Sequence, residues 1–230
     1  MEPLQLRTAD GTQLQGVSIE RPQATVEVIY FGGNDFRLDD QGDAAARVLA
    51  PPMANLTCFD YRGYGRSTGT PTITALKDDA LAIFDSVARR APNRPIVVHG
   101  FSLGSFVAAY VAEHRPVAGL ILESTAPSVP RWANNQIPLY ARPFVRLHIA
   151  PALLAEDNEA RLKTYTGPLL LLTGRLDPVT PPKFATDLRA LSRSADKRVV
   201  IVDGATHGDV MTFEAAQRAY GTFLEAIARR

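Results

Sequence analysis

Ile96-Val97-Val98-His99-Gly100-Phe101-Ser102-Leu103-Gly104-Ser105 joins a short apolar, β-branched run to a stretch of helical character through the pattern Gly-x-Ser-x-Gly. A sharp strand-to-helix turn holds its middle residue in a strained conformation, and glycines on either side remove the Cβ atoms that would collide there. The Ser102 hydroxyl is therefore expected to stand clear of the sheet, at the positive end of a helix. The bare pattern is weak, and a Gly-Ser corner without chemistry is the plain alternative. The strand before it and the helix after it carry the reading.

Working outward, apolar runs at 25–31, 56–59, 96–99, 120–122, 169–172 and 199–202 end near Gly, Asp or Ser and read as buried strands of a mostly parallel sheet. A hairpin over 4–19, turning at Asp10-Gly11, precedes them. Between strands the period changes. After Thr70 as N-cap and Pro71 in the first turn, Ile73, Leu76, Ala80, Phe84 and Val87 recur at helical spacing until Ala91-Pro92, and Phe213, Ala216, Tyr220, Leu224 and Ile227 do so near the C-terminus. Strand and helix in alternation predict a doubly wound α/β sheet with ligands outside the carboxyl ends of the strands. No linker divides the chain, so residues 1–230 read as one domain. Residues 126–165, with Pro127, Pro130, Pro138, Pro143, Pro151 and the only tryptophan, read as a small cap insertion.

A serine hydroxyl becomes a nucleophile when a base takes its proton, and that base must be oriented by a third group. Asp177 follows the run 169–172 and His207 follows the run 199–202, so both sit at carboxyl ends of strands, on the rim expected for Ser102. The order Ser, acid, His is the one this arrangement requires. Glu123, after the run 120–122, is the competing acid, and Asp177 before Pro178 also fits a turn that caps the next helix. For the developing oxyanion, the Leu103 N–H is one donor and the loop Phe31-Gly32-Gly33-Asn34 supplies the other, from Gly33 or its rival Asn34. Asn34, Trp132 and Phe144 are the substrate-binding candidates. Trp132 with Ile137, Leu139, Tyr140 and Phe144 reads either as an acyl pocket or as cap packing. Cys58, mid-strand, reads as a packed hydrophobe.

The 230 residues carry 25 Lys plus Arg against 24 Asp plus Glu, so no net field favours nucleic acid or acidic lipid. With 46% hydrophobic and 21% charged residues, the balance excludes a disordered or fibrous chain. One cysteine excludes an internal disulfide and points to a reducing compartment. The N-terminus lacks the layout of a signal peptide and no apolar run approaches a membrane span, so a cytoplasmic protein with a small-molecule substrate, without membrane or nucleic-acid partners, is expected. Four scattered histidines show no metal spacing, and Gly32-Gly33 is not a dinucleotide fingerprint, so neither a metal nor a cofactor is expected.

Gly-Phe-Ser-Leu-Gly at 100–104, Asp60-Tyr61-Arg62-Gly63-Tyr64-Gly65-Arg66-Ser67 with Gly69 and Pro71, Asp177-Pro178-Val179-Thr180-Pro181-Pro182 and Gly204-Ala205-Thr206-His207 together resemble an α/β-hydrolase, and more narrowly the compact serine hydrolases of the Bem46-like group. The similarity runs from Val26 to the C-terminus. It implies a mostly parallel sheet of about eight strands and a Ser102, His207, Asp177 triad. The chain departs from the group where many relatives have His-Gly and it has Phe31-Gly32. In the 60–67 motif, Asp60 and Arg62 are expected to pin a turn near the oxyanion loop. The function expected is a cofactor-free serine hydrolase acting on a small ester, thioester or amide through an acyl-enzyme. Perhydrolysis or C–C cleavage on the same triad, and a non-catalytic binding module, are the alternatives.

Overall fold

The computed structural model describes residues 1–230 except Leu139, Arg142, Pro143 and Leu147. The readings of Leu139 as a pocket wall and of Pro143 as a helix breaker thus lie outside the described residues. The strands are β1 (Glu2–Arg7), β2 (Gln13–Ile19), β3 (Val26–Phe31), β4 (Ala54–Phe59), β5 (Ile96–Phe101), β6 (Gly119–Glu123), β7 (Leu169–Gly174) and β8 (Lys197–Val202). They form one sheet in the order β1-β2-β4-β3-β5-β6-β7-β8. β2 runs antiparallel to β1 and β4, and the remaining pairs are parallel. Helices on both faces explain why β3, β4 and β7 are buried throughout and mostly apolar, with Glu27, Asn55 and Thr57 as buried polar exceptions in β3 and β4. The edge strand β1 alternates in exposure and carries Glu2, Pro3 and Arg7, which discourage pairing with another chain.

The helices are α1 (Leu38–Leu49), α2 (Ile73–Arg90), α3 (Leu103–His114), α4 (Val129–Asn135), α5 (Pro151–Leu154), α6 (Asn158–Leu162), α7 (Pro182–Leu191) and α8 (Glu214–Ala228). α1 and α8 pack Leu49, Ala216, Tyr220 and Leu224 on one face of the sheet, against Val28, Val97, Ile121 and Leu170. α2, α3 and α7 pack Leu76, Phe84, Val107 and Leu188 on the other, against Ile29, Val98, Leu120 and Leu171. Two details correct the sequence reading of α2 and its surroundings. The N-cap is Thr72, not Thr70: its hydroxyl accepts the Ala75 N–H at 3.2 Å, satisfying an amide the first turn leaves unpaired, and Pro71 lies outside the helix. α1 has no counterpart in the expected elements, because Asp39-Asp40-Gln41-Gly42-Asp43 masks the narrow apolar face of Leu38, Ala45 and Leu49.

The strand order puts a switch point beside β3. From β3 the chain passes through α1 to β4 on one side, then returns through α2 to β5 on the other. The loops leaving β3 and β5 therefore diverge to opposite faces, and a crevice opens at the carboxyl ends between them. Phe31-Gly32-Gly33 and Phe101-Ser102-Leu103 border it.

Candidate active site

Ser102 occupies the left-handed region at φ 52°, ψ −115°, between the end of β5 and the first residue of α3. A non-glycine residue there costs about 1–3 kcal/mol, so its surroundings must hold it. Its N–H donates to the Glu123 carbonyl at 3.0 Å, and its carbonyl accepts the Ser105 N–H at 3.0 Å and the Ser105 hydroxyl at 2.6 Å. The flanking glycines are sterically required. A Cβ on Gly100 would lie 2.2 Å from the Gly104 carbonyl oxygen, and one on Gly104 would lie 2.0 Å from that of Phe31.

His207 Nε2 lies 3.0 Å from Ser102 Oγ, and its Nδ1 lies 2.9 Å from Asp177 Oδ2. The imidazole is steadied by the Phe101 ring at 5.3 Å and by its own carbonyl, which accepts the Ser124 hydroxyl at 2.9 Å. Ser124 itself has φ 46°, a second held residue at a strand end. Asp177 serves as turn and as partner of His207 at once. Its Oδ1 accepts the N–H groups of Val179 and Thr180, each at 2.8 Å, and its Oδ2 accepts the Thr180 hydroxyl at 2.6 Å. Burial pushes this carboxyl up, but the hydrogen bonds from His207 and Thr180 outweigh burial and hold it below its ordinary value. A carboxylate so fixed orients the imidazole and stabilises it when protonated. Glu123, the competing acid, is directed elsewhere, to His99 Nε2 at 3.0 Å.

Leu103 opens α3, so its N–H lacks an intrahelical acceptor and the positive end of the helix faces the serine. Gly33 and Asn34 line a cavity of about 740 Å³ together with Ser102 and His207. The loop that carries them is held by the Tyr61 hydroxyl, which donates to the Gly32 carbonyl at 2.8 Å. Asp60 fixes its neighbourhood by accepting the Leu38 N–H at 2.8 Å and the Arg66 N–H at 3.2 Å. Arg62 does not join them. It pairs with Asp79 of α2 at 2.6 and 2.5 Å and with Asp10 of the hairpin turn at 2.9 Å, tying α2 to β1–β2. The anchoring roles of Tyr61, Thr180 and Ser124 escaped the sequence reading. A hydroxyl three residues after the acid was the one signal available for Thr180.

Trp132 and Phe144 do not line this cavity. They are 37% and 88% exposed, and Tyr140 is also exposed. The cause is where the insertion docks. Val129 packs on Phe106, Ala126 and Phe184; Arg131 pairs with Asp187 and Glu159 and lies over the Phe184 ring; and Gln136 donates to the Val179 carbonyl at 3.0 Å. These contacts fasten α4 beside α7, whereas the cavity opens toward α1, with Phe36, Ala45, Val48 and Leu49 in its wall. Cys58 is buried, and burial pushes its thiol up to about 12, so it packs in the sheet.

A mostly parallel eight-stranded sheet with a Gly-x-Ser-x-Gly turn after β5, an aspartate after β7 and a histidine after β8 defines the α/β-hydrolase class. Residues 43–153 match the family model described as serine aminopeptidase, S33, and residues 151–227 match that of TAP-like protein. The chain belongs to the Bem46-like α/β-hydrolases. It is 27% identical to protein bem46 of Schizosaccharomyces pombe, over 97% of this chain and 76% of that one. It is 30% identical to the uncharacterized protein YfhR of Salmonella typhimurium, over 88% and 73%. Lysophosphatidylserine lipase ABHD12 of Macaca fascicularis is 29% identical over 73% of this chain, which spans 46% of that protein. Among solved structures, the Pyrococcus furiosus esterase Pf2001 shares the fold with a TM-score of 0.74 at 18% identity, over 98% of this chain and 92% of that one. The family and these relatives make the protein a hydrolase. Among the described residues, no helix is long and apolar enough to cross a membrane.

Proposed function

We propose that the protein is a cofactor-free serine hydrolase that cleaves a small carboxylic ester, thioester or amide through an acyl-enzyme. The observation that carries this reading is the unbroken chain from Ser102 Oγ through His207 to Asp177, at 3.0 and 2.9 Å. His207 Nε2 takes the Ser102 proton as Oγ attacks the carbonyl carbon, and the oxyanion forms toward the Leu103 and Gly33 N–H groups. The imidazolium, stabilised by Asp177, returns the proton to the departing alcohol, thiol or amine. Water then repeats the sequence on the acyl-enzyme, releasing the acid and restoring Ser102. Asn34, at the cavity wall beside Gly33, contacts the substrate. Trp132 and Phe144 have no part in this reading. A cavity of about 740 Å³ falls within the range of small-molecule sites, roughly 300–1,000 Å³, which favours a small substrate.

The test is active-site labelling. A fluorophosphonate should add one equivalent to Ser102, read by intact mass and peptide mapping, and Ser102→Ala should abolish both label and ester turnover. Labelling of another serine, or a folded protein that takes no label and turns over no p-nitrophenyl ester of any acyl length, would overturn the proposal.

A further inference from the structure

The cavity beside Ser102 is not uniformly apolar. Phe36, Ala45, Val48, Leu49, Phe101 and Met211 supply hydrophobic wall, but Glu123 and Tyr30 line it too. Both are nearly inaccessible, at 5% and 8% exposure, so the little surface they keep belongs to this cavity. Their placement follows from register. Tyr30 pairs with His99 across β3–β5 and His99 pairs with Ile121 across β5–β6, so these side chains and that of Glu123, two residues past Ile121, lie on the α1 face of the sheet.

Glu123 is locked from one side only. Its Oε2 is 3.0 Å from His99 Nε2, and that ring is fully buried, with Tyr30 at 5.2 Å and Tyr220 at 5.6 Å. Tyr220 is fixed in turn by donating its hydroxyl to the Leu49 carbonyl at 2.9 Å. Glu123 Oε1 and the Tyr30 hydroxyl have no hydrogen-bond partner among the described residues. Both oxygens face the cavity, where a ligand's donor can reach them, and the neighbouring Leu120, Ile121 and Leu122 are what this strand uses where it only packs. A carboxyl oxygen and a phenol oxygen on the α1 face of the sheet, in the cavity that also holds Ser102 and whose rim carries Asp35, Gln41, Arg47 and Thr212, form a receiving site for a donor.

Resting on the serine-hydrolase reading above, we infer that the part of the substrate lodged in this cavity carries a hydrogen-bond donor, a hydroxyl or an ammonium, which Glu123 and Tyr30 receive. The substrates are then esters, thioesters or amides of hydroxy or amino acids if the acyl group fills the cavity, or esters of diols and amino alcohols if the leaving group does. The sign of the effect separates this from a plain hydrophobic cavity. A terminal hydroxyl is a penalty in an apolar cavity and an advantage where an unpaired acceptor waits for it.

The experiment compares kcat/KM on matched pairs: p-nitrophenyl hexanoate against its 6-hydroxy and 6-amino derivatives, and butyl acetate against the monoacetates of butane-1,4-diol and 4-aminobutanol. In one of the two series the donor-bearing ester should be favoured by about tenfold, the size of one hydrogen bond. Tyr30→Phe, which keeps the ring packing, should shrink that ratio several-fold. Glu123→Gln can still accept from His99 through its amide oxygen while turning its NH₂ into the cavity. It should lose the preference for the ammonium, which only donates, and retain hydroxyl recognition, since a hydroxyl also accepts. Preference for the unsubstituted ester in both series, by an enzyme that labels at Ser102 and turns over, would overturn this inference and leave the hydrolase reading standing. An enzyme that neither labels nor turns over would overturn both.

Discussion

Gly104→Ala tests whether the close contact between the first turn of α3 and the end of β3 sets the geometry of the site. A Cβ at this position would lie 2.0 Å from the Phe31 carbonyl oxygen and 2.5 Å from that of Gly32. Real Cβ atoms keep at least 3.0 Å from such atoms, so the two backbones must part by 3.0 − 2.0 = 1.0 Å. Neither partner is a flexible side chain that yields cheaply. One side of the widened gap carries Ser102 and Leu103, the other carries Gly33, so the separation falls between the proposed nucleophile and one of its proposed oxyanion donors. Overpacking of this kind costs about 1–3 kcal/mol of stability. A misplacement of about 1 Å costs about 10²-fold in rate, because attack depends on near-contact geometry. The assay pairs urea unfolding, followed by circular dichroism, with kcat on a p-nitrophenyl ester. The variant should fold, unfold at lower urea, and lose about two orders of magnitude in kcat with a smaller change in KM. A folded Gly104→Ala protein with both kcat and urea midpoint unchanged would refute the argument that this contact positions the elbow.

Asp177→Asn should lower kcat by about 10⁴-fold with the fold intact, because an amide neither stabilises the imidazolium nor selects its tautomer. The same substitution should alter acid stability in a defined direction. Hydrogen bonds hold the Asp177 carboxyl below its unfolded value of about 3.9, so its contribution is complete above that pH and is lost as pH falls through the folded value. Urea midpoints from pH 6 to pH 2 should therefore fall less steeply for Asp177→Asn than for the wild type, and parallel curves would show that this carboxyl is not held as described. Gly221→Ala is the opposite case: within α8 a Cβ at Gly221 would meet nothing within 4 Å, so thermal unfolding should show a gain of about 0.5–1 kcal/mol. A loss of stability there would mean that α8 packs more tightly at this position than its contacts indicate.

Much of the architecture was legible in the residue order because the forces involved are local. The runs 169–172 and 96–99 stand inside β7 and β5, since strands buried on both faces are dominated by apolar side chains, and the hairpin turn at Asp10-Gly11 falls between β1 and β2. The Gly-x-Ser-x-Gly turn was readable for the same reason: the collisions that exclude a Cβ at Gly100 and Gly104 come from the elbow itself and the strand beside it. Asp177 and His207 could be placed on the rim because each follows a recognisable strand, and strand ends in a parallel sheet share one edge. What the order of residues could not decide were contacts between elements distant in the chain. Trp132 and Phe144 have the composition of a pocket wall, yet α4 docks beside α7 through Val129 and Arg131, and the wall of the cavity comes from α1, whose polar surface hid it. Glu123 and His99, and Tyr61 and Gly32, lie 24 and 29 positions apart, and nothing local to either pair announces its hydrogen bond. Arg62 likewise reached Asp79 and Asp10 rather than the oxyanion loop, because a long side chain takes the carboxylates that packing brings near. Periodicity and sterics act within a few residues and therefore write themselves into sequence; docking direction and side-chain pairing depend on which faces meet, and only the assembled tertiary structure determines that.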